Sequence, residues 1–308
     1  MDERVDIAAV RDYFMSLQDQ IVQRLETLDG EVQFKREQLD HSNGGLARPR
    51  VAAGGALIEK AAVQFTHSLG DQLPPAATER SPELAGRSFQ AVAISLIVHP
   101  RSPYVPTTHM NLRCFLVEVP ERPVWYFGGG WDLTPYYAFV EDCKHWHRVA
   151  AAACQPFGCT VYEEMKAACD AYFQLPHRGE PRGIGGLFFD DWTRGGFAQS
   201  FALVRSIGDR LLPAYEPIVQ RRRDILWGAR ERDFQCYRRG RYAEFNLGID
   251  RGTRYGLQSG RRIESVLASL PPEVIWRYDW QPEPGTPEAR LTDYFLKARD
   301  WLNEPDAA

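Results

Sequence analysis

Lysine is scarce in this chain. Lys35, Lys60, Lys144, Lys166 and Lys297 are the only five among 37 basic residues, and the other 32 are arginine. Genomic base composition explains most of that bias; the remainder fits sites where a planar fork is needed to hold carboxylates, which lysine does poorly. Excess positive charge is also missing: the net charge is -4 and the pI about 6.0, which removes any global attraction to nucleic acid or to an anionic membrane. No apolar run approaches spanning length, so no integral membrane segment is expected. Met1-Asp2-Glu3-Arg4 leads into an amphipathic pattern without the apolar core of a secretory signal, and a cytoplasmic location is expected. None of the six cysteines forms a Cys-x-x-Cys pair, so they read as reduced thiols that mostly fill small apolar positions. There is no Gly-x-Gly-x-x-Gly before a helix in a βαβ unit and no P-loop lysine, which excludes a nucleotide cradle.

What is present reads as one α+β domain over 1–308, a large flat antiparallel sheet flanked on both faces by helices. Val10, Phe14, Leu17, Ile21, Leu25 and Leu28 recur at helical spacing up to Gly30. Strand patterns cover 89–98, 112–119, 124–127, 184–189, 242–249, 254–257 and 274–278. Helical patterns cover 135–153, 160–173, 197–211, 215–236, 262–269 and 287–302, with Thr134 as a cap and Pro135 in the first turn. Short connections among the early strands imply antiparallel neighbours. Residues 72–88 read as a polar, Pro-interrupted surface excursion.

The densest chemistry lies in Leu175-Pro-His-Arg-Gly-Glu-Pro-Arg-Gly-Ile-Gly-Gly-Leu-Phe-Phe-Asp-Asp-Trp192. Its glycines exclude a helix and suit a strand that something flat can approach. His99 and His109 are expected at one end of the sheet, as metal ligands, an acid/base pair or simple strand-end hydrogen bonders. Only one of His145 and His147 can join a site, and four His on separate elements lack the short spacing of a zinc motif. Asn111 and Arg113 share a strand face, which Ser95 on the neighbouring strand can join. Asp132 follows an aromatic–glycine run and serves either as a helix cap or as a carboxylate at a pocket mouth. Asp250 sits in Asp-Arg-Gly-Thr, a turn on its plainest reading. Arg238-Arg239-Gly240-Arg241 reads as a solvated or interface patch, and Ser259-Gly260-Arg261-Arg262 as a helix start suited to a carboxylate. Pooled, these features describe an apolar, glycine-permissive surface with several arginines, suited to a large flat polyanion.

Val98-His-Pro100, Pro103-Tyr-Val-Pro-Thr107, Trp125-Tyr-Phe-Gly-Gly-Gly-Trp-Asp-Leu-Thr-Pro135, His145-Trp-His-Arg148, Arg182-Gly-Ile-Gly-Gly-Leu-Phe-Phe-Asp-Asp191, Arg238-Arg-Gly-Arg-Tyr242 and Asp250-Arg-Gly-Thr253 carry a resemblance over almost the whole chain. In these segments the chain resembles the bacterial type of oxygen-dependent coproporphyrinogen III oxidase. The resemblance implies oxidative decarboxylation of two propionates of coproporphyrinogen III to vinyl groups, giving protoporphyrinogen IX in haem biosynthesis. Molecular oxygen is then the co-substrate, without flavin, haem or nicotinamide, and a divalent metal such as Mn²⁺ is an expected cofactor. It implies substrate contacts at Ser95, Asn111, Leu112, Arg113, Gly260, Arg261 and Arg262, and His109 as proton donor. It places Asp132, Asp250 and Arg113 in base and carboxylate-anchoring roles, and His99, His109, His147 and His177 as metal ligands. A homodimer through residues near 242–277 is implied as well. The competing readings are another metal-dependent oxygenase using His with a carboxylate, and a non-catalytic tetrapyrrole-binding protein.

Overall fold

The computed structural model describes residues 5–72, 84, 86–119, 123–258 and 262–305. Gly260, Arg261 and most of the 72–88 excursion lie outside the described residues. Helix α1 (Ile7–Asp29) is capped as its sequence directs: Asp6 accepts from the Ala9 N–H at 3.0 Å, and Gly30, with φ 85°, closes the far end on Glu26. Its apolar stripe is buried against the sheet.

The sheet joins β1 (Lys35–Arg36), β2 (Leu39–Asp40), β3 (Leu46–Ala53), β4 (Ile58–Gly70), β5 (Phe89–Pro100), β6 (Thr107–Val117), β7 (Val124–Thr134) and β10 (Gly186–Trp192). The path runs β1-β3-β4-β5-β6-β7-β10 with β2 on β3, and all pairs are antiparallel. A small hairpin, β8 (Gln174–Leu175) with β9 (Glu180–Pro181), stands apart. Strands β3 and β4 carry no signal as clean as that of β5, because arginine, glutamine, lysine and histidine interrupt their apolar positions. Pairing on both sides holds them as strands nonetheless.

Alternation sorts each central strand onto two faces. Phe65, Ile94, Leu96, Met110, Leu112, Phe127, Trp131 and Leu133 enter the main core. That face is covered by α1, α2 (Val140–Cys154), α4 (Gly196–Asp209) and α5 (Leu211–Arg222). The other face is covered in part by α3 (Val161–Tyr172), packed on β10, and by α6 (Ala229–Gly248), whose Tyr242 packs on Ala62 and Ile97. The remainder is open.

Several expected elements are corrected. Residues 242–248 and 254–257 are helical, within α6 and α7 (Arg251–Gln258), Ile249 caps α6, and 274–278 form no strand. Their β-branched and aromatic residues match strand preference, but tertiary packing of the helix overrides a propensity worth fractions of a kcal/mol per residue. The pattern over 215–236 splits at 223–228 into α5 and α6. The helix expected from Pro135 begins at Val140, and Thr134 ends β7 instead of capping it. Past 262 the helices are short: α8 (Ile263–Val266), then a 3₁₀ turn over 267–269, and later α9 (Pro287–Arg290) running into a π turn.

Two glycines decide how closely β6, β7 and β10 meet. A Cβ on Gly129 (φ 148°) would lie 2.2 Å from the Asn111 carbonyl oxygen, and one on Gly130 (φ 142°) would lie 1.9 Å from that of Leu187. Neither contact is sterically tolerable, so the glycine run seen in the sequence is what lets β7 sit flat between its neighbours.

Candidate active site

The open face is a floor of small residues with chemistry along its edges. Register aligns four rows across β5, β6 and β7: Ala91, Phe115 and Tyr126; Ala93, Arg113 and Gly128; Ser95, Asn111 and Gly130; Ile97, His109 and Asp132. Thr66, Gln64 and Ala62 extend the last three rows onto β4. From Phe115 to His109, and from β4 to β10, the floor measures about 20 Å each way by strand rise and spacing. One end is closed by a ladder of stacked rings, Phe89 on Phe115 (5.4 Å, 2°) and Phe115 on Tyr126 (5.3 Å, 9°).

The opposite end holds a buried ion pair. Arg182 and Asp132 are both 2% exposed at their side chains and meet through two short contacts, Nη2 to Oδ1 at 2.7 Å and Nη2 to Oδ2 at 2.8 Å. The guanidinium stacks on Phe173, Tyr242 and Phe245, with centroids 4.2, 4.6 and 4.7 Å away, and donates to Asn246 Oδ1 at 3.0 Å. Burial alone would raise the Asp132 pKa. The Arg182 charge and the His109 contact outweigh it, and the carboxyl titrates below its ordinary value.

His109 Nδ1 lies 2.9 Å from Asp132 Oδ1. An ionised carboxylate only accepts, so Nδ1 carries the proton and donates it. Nε2 has no hydrogen-bond partner among the described residues, and the ring is partly exposed toward the floor. The unit Arg182–Asp132–His109 therefore presents one oriented imidazole nitrogen to a ligand lying on the floor, in the manner of a base fixed by a carboxylate.

Arg113 lies over Gly128; a Cβ there would sit 2.7 Å from its Nη2. It donates to Asn111 Oδ1 at 3.1 Å and to Asp190 Oδ1 at 2.5 Å. Arg113, Asn111 and Ser95 thus share the floor as expected. Leu112 does not: alternation sends its side chain into the core on the opposite face, fully buried. Arg262 precedes α8 and pairs with Glu37 at 2.6 Å near the β1 edge, well separated in the fold from Arg113.

Asp250 proves to be the turn residue that its sequence suggested. Its Oδ2 accepts from the Thr253 N–H (2.6 Å) and hydroxyl (2.9 Å), which starts α7, and its Oδ1 accepts from the Tyr172 hydroxyl (3.0 Å). The cluster at 238–241 is not a solvated patch. Arg238, Arg239 and Arg241 are buried on α6 and paired with Glu180 or Glu59, tying that helix to the sheet and to the β8–β9 hairpin.

The four histidines expected to share a metal are not brought together, and among the described residues no group of three His, Cys, Asp or Glu side chains could hold an ion. His99 spends one nitrogen on Thr107 Oγ1 (3.3 Å) and the other on the Ser269 carbonyl (2.9 Å). His147, on α2 behind the sheet, spends its nitrogens on the Tyr162 hydroxyl and the Ile184 carbonyl, both at 3.0 Å. Burial pushes its pKa down to about 3 and that of His99 well below the ordinary value, so both are neutral. His177 pairs with Glu244 at 2.8 Å on a loop by α6. His99 and His147, with both nitrogens committed to protein, have no lone pair left for a cation, and His109 and His177 alone make no group of three, so the four do not fit a divalent metal as a set.

Sequence reasoning does not reach the roles of Arg182 and Asp190, although both lie in the 175–192 stretch. The arginine beside a glycine run and the paired carboxylates were the signals available there.

A family model described as coproporphyrinogen III oxidase matches residues 9–301. The match takes in α1 from its third residue, the whole sheet, the floor and the Arg182–Asp132–His109 unit. The chain belongs to the coproporphyrinogen III oxidase family and is thereby an oxidoreductase of porphyrin biosynthesis.

Proposed function

We propose that the chain catalyses oxygen-dependent oxidative decarboxylation of two propionates of coproporphyrinogen III, giving protoporphyrinogen IX. The observation that carries this reading is a flat floor of small residues, wide enough for a tetrapyrrole, with Arg113 on it and the His109 Nε2 at one end. In each turnover the propionate β-carbon loses a hydride equivalent, the bond to the carboxyl carbon breaks, and a vinyl group and CO2 are left. The hydride equivalent and one proton reduce O2 to H2O2, which balances atoms and electrons without a resident redox group.

The residues act by position and charge. Arg113, helped by Asn111, anchors a propionate through forked hydrogen bonds. His109 moves a proton at the pyrrole edge, held in one tautomer by Asp132, while Arg182 keeps Asp132 ionised. Asp250 starts α7 and stays the alternative candidate for the carboxylate role, since three donors leave a lone pair on its oxygens. The test is turnover of coproporphyrinogen III by chelator-treated protein, followed by porphyrin fluorescence after oxidation, with and without oxygen and then with Mn²⁺. Product that needs oxygen and not metal is expected. A requirement for iron would favour the metal-dependent oxygenase, and binding without turnover the tetrapyrrole-binding reading.

A homodimer is part of this proposal. Leu247, Leu257, Ile263, Trp276 and Tyr278 are exposed within or beside residues 242–277, an apolar concentration that a second copy would cover. Among the described residues, no helix is long and apolar enough to cross a membrane. Light scattering should give twice the chain mass, and Trp276→Glu with Tyr278→Glu should shift it to the monomer; a monomeric parent protein would sink the idea.

A further inference from the structure

The Asp190 carboxylate is bound as a substrate carboxylate would be. Its Oδ1 takes the Arg113 Nη2 donor at 2.5 Å, and its Oδ2 takes the Arg251 Nη2 donor at 3.0 Å. The two arginines come from different elements, β6 and the start of α7. The backbone is bent to deliver Asp190 there. Pairing of β10 with β7 jumps from Phe189–Gly129 to Trp192–Phe127, so Asp190 and Asp191 together oppose Gly128, and Asp191 takes φ 50°. A bulge with a non-glycine residue in the left-handed region re-aims a side chain at some conformational cost, a device found beside active sites. Arg251 lies over the Tyr172 ring (4.9 Å), which stacks on Phe188 (4.3 Å, 8°), so its guanidinium is held at the floor's margin. All three side chains are partly exposed to the cleft.

We propose that Asp190 is a positioning residue for the family reaction: an internal carboxylate that holds Arg113 and Arg251 ready and yields its place to a substrate carboxylate, making Arg251 a second arginine for the same propionate. The inference rests on the reading of the floor as a tetrapyrrole site. Charge supports it. Among the described residues two guanidiniums pair with this one carboxylate, so positive charge is in excess where an incoming propionate would bind. Burial would raise the Asp190 pKa, but both arginines hold it below the ordinary value, so it is a genuine anionic competitor. Removing its charge while keeping its shape should have two opposed effects. The anion binds more tightly because a like charge is gone. Turnover falls because the arginines are no longer held in register.

The experiment is titration of Asp190→Asn and the parent protein with coproporphyrin III, the stable oxidised tetracarboxylate, by absorbance at low salt, together with steady-state turnover of coproporphyrinogen III. Tighter porphyrin binding, by roughly tenfold, with KM and kcat both lowered, is the expected pattern. Asp190→Glu should recover part of kcat. In the Asp190→Asn background, Arg251→Gln should return the affinity toward that of the parent. Unchanged affinity and kcat in Asp190→Asn, or weaker binding with a lowered melting temperature, would overturn the proposal; the latter is what a purely structural role gives. If the parent protein does not bind the porphyrin, the reading of the floor itself fails.

Discussion

Arg182→Ala is expected to lose about 3–5 kcal/mol of stability, measured by urea unfolding, together with turnover of coproporphyrinogen III. The cost arises because Asp132, 2% exposed, is left as an uncompensated buried charge and three aromatic rings lose the cation packed among them. Removing both partners should behave differently. Asp132→Asn with Arg182→Met leaves no unpaired charge, so much of the stability should return, while turnover should not, since His109 loses the carboxylate that fixes its tautomer. Recovery of both would show that the pair only fills space. The pH dependence has a definite sign. Asp132 has a folded-state pKa below its unfolded value of about 3.9, so its contribution is fully present above that value and is lost as pH falls through the folded value.

His109→Ala should lower kcat by about 10²- to 10⁴-fold with little change in urea midpoint. Its ring is partly exposed, it contributes one nitrogen to the fold, and the other faces the floor. His99→Ala and His147→Ala should do the reverse. Each removes a buried ring that satisfies two protein groups, so stability should drop by about 2–4 kcal/mol. Their effect on turnover should follow the folded fraction. If His147→Ala abolished turnover in protein that remains folded, the division of labour among the histidines drawn above would be wrong.

Part of this site is legible along the chain because its spacing is local. Asn111 and Arg113 are two apart on a strand, so period-two alternation puts them on one face whatever else the chain does. The same rule sends the Leu112 side chain into the core, so any contact it makes with a ligand on the floor is through its backbone. The first helix was readable for a similar reason: its apolar spacing and both caps lie within 25 residues. Residues 242–249 misled because the buried part of α6, with Tyr242, Ala243 and Phe245, shows the aromatic and apolar content of a strand.

The sequence by itself determined the α+β class, the first helix, the central strands β5 and β6 and the edge strand β10, the shared face of Asn111 and Arg113, and, through its ordered motifs, the family. Each depends on residues close together or on a pattern kept in order. Only the tertiary structure decided the partners. Arg182 reaches Asp132 across 50 residues, Asp190 reaches Arg113 across 77 and Arg251 across 61, and His147 falls behind the sheet, away from His109. Charge pairing at such separations is set by strand register and helix packing, which no local spacing encodes.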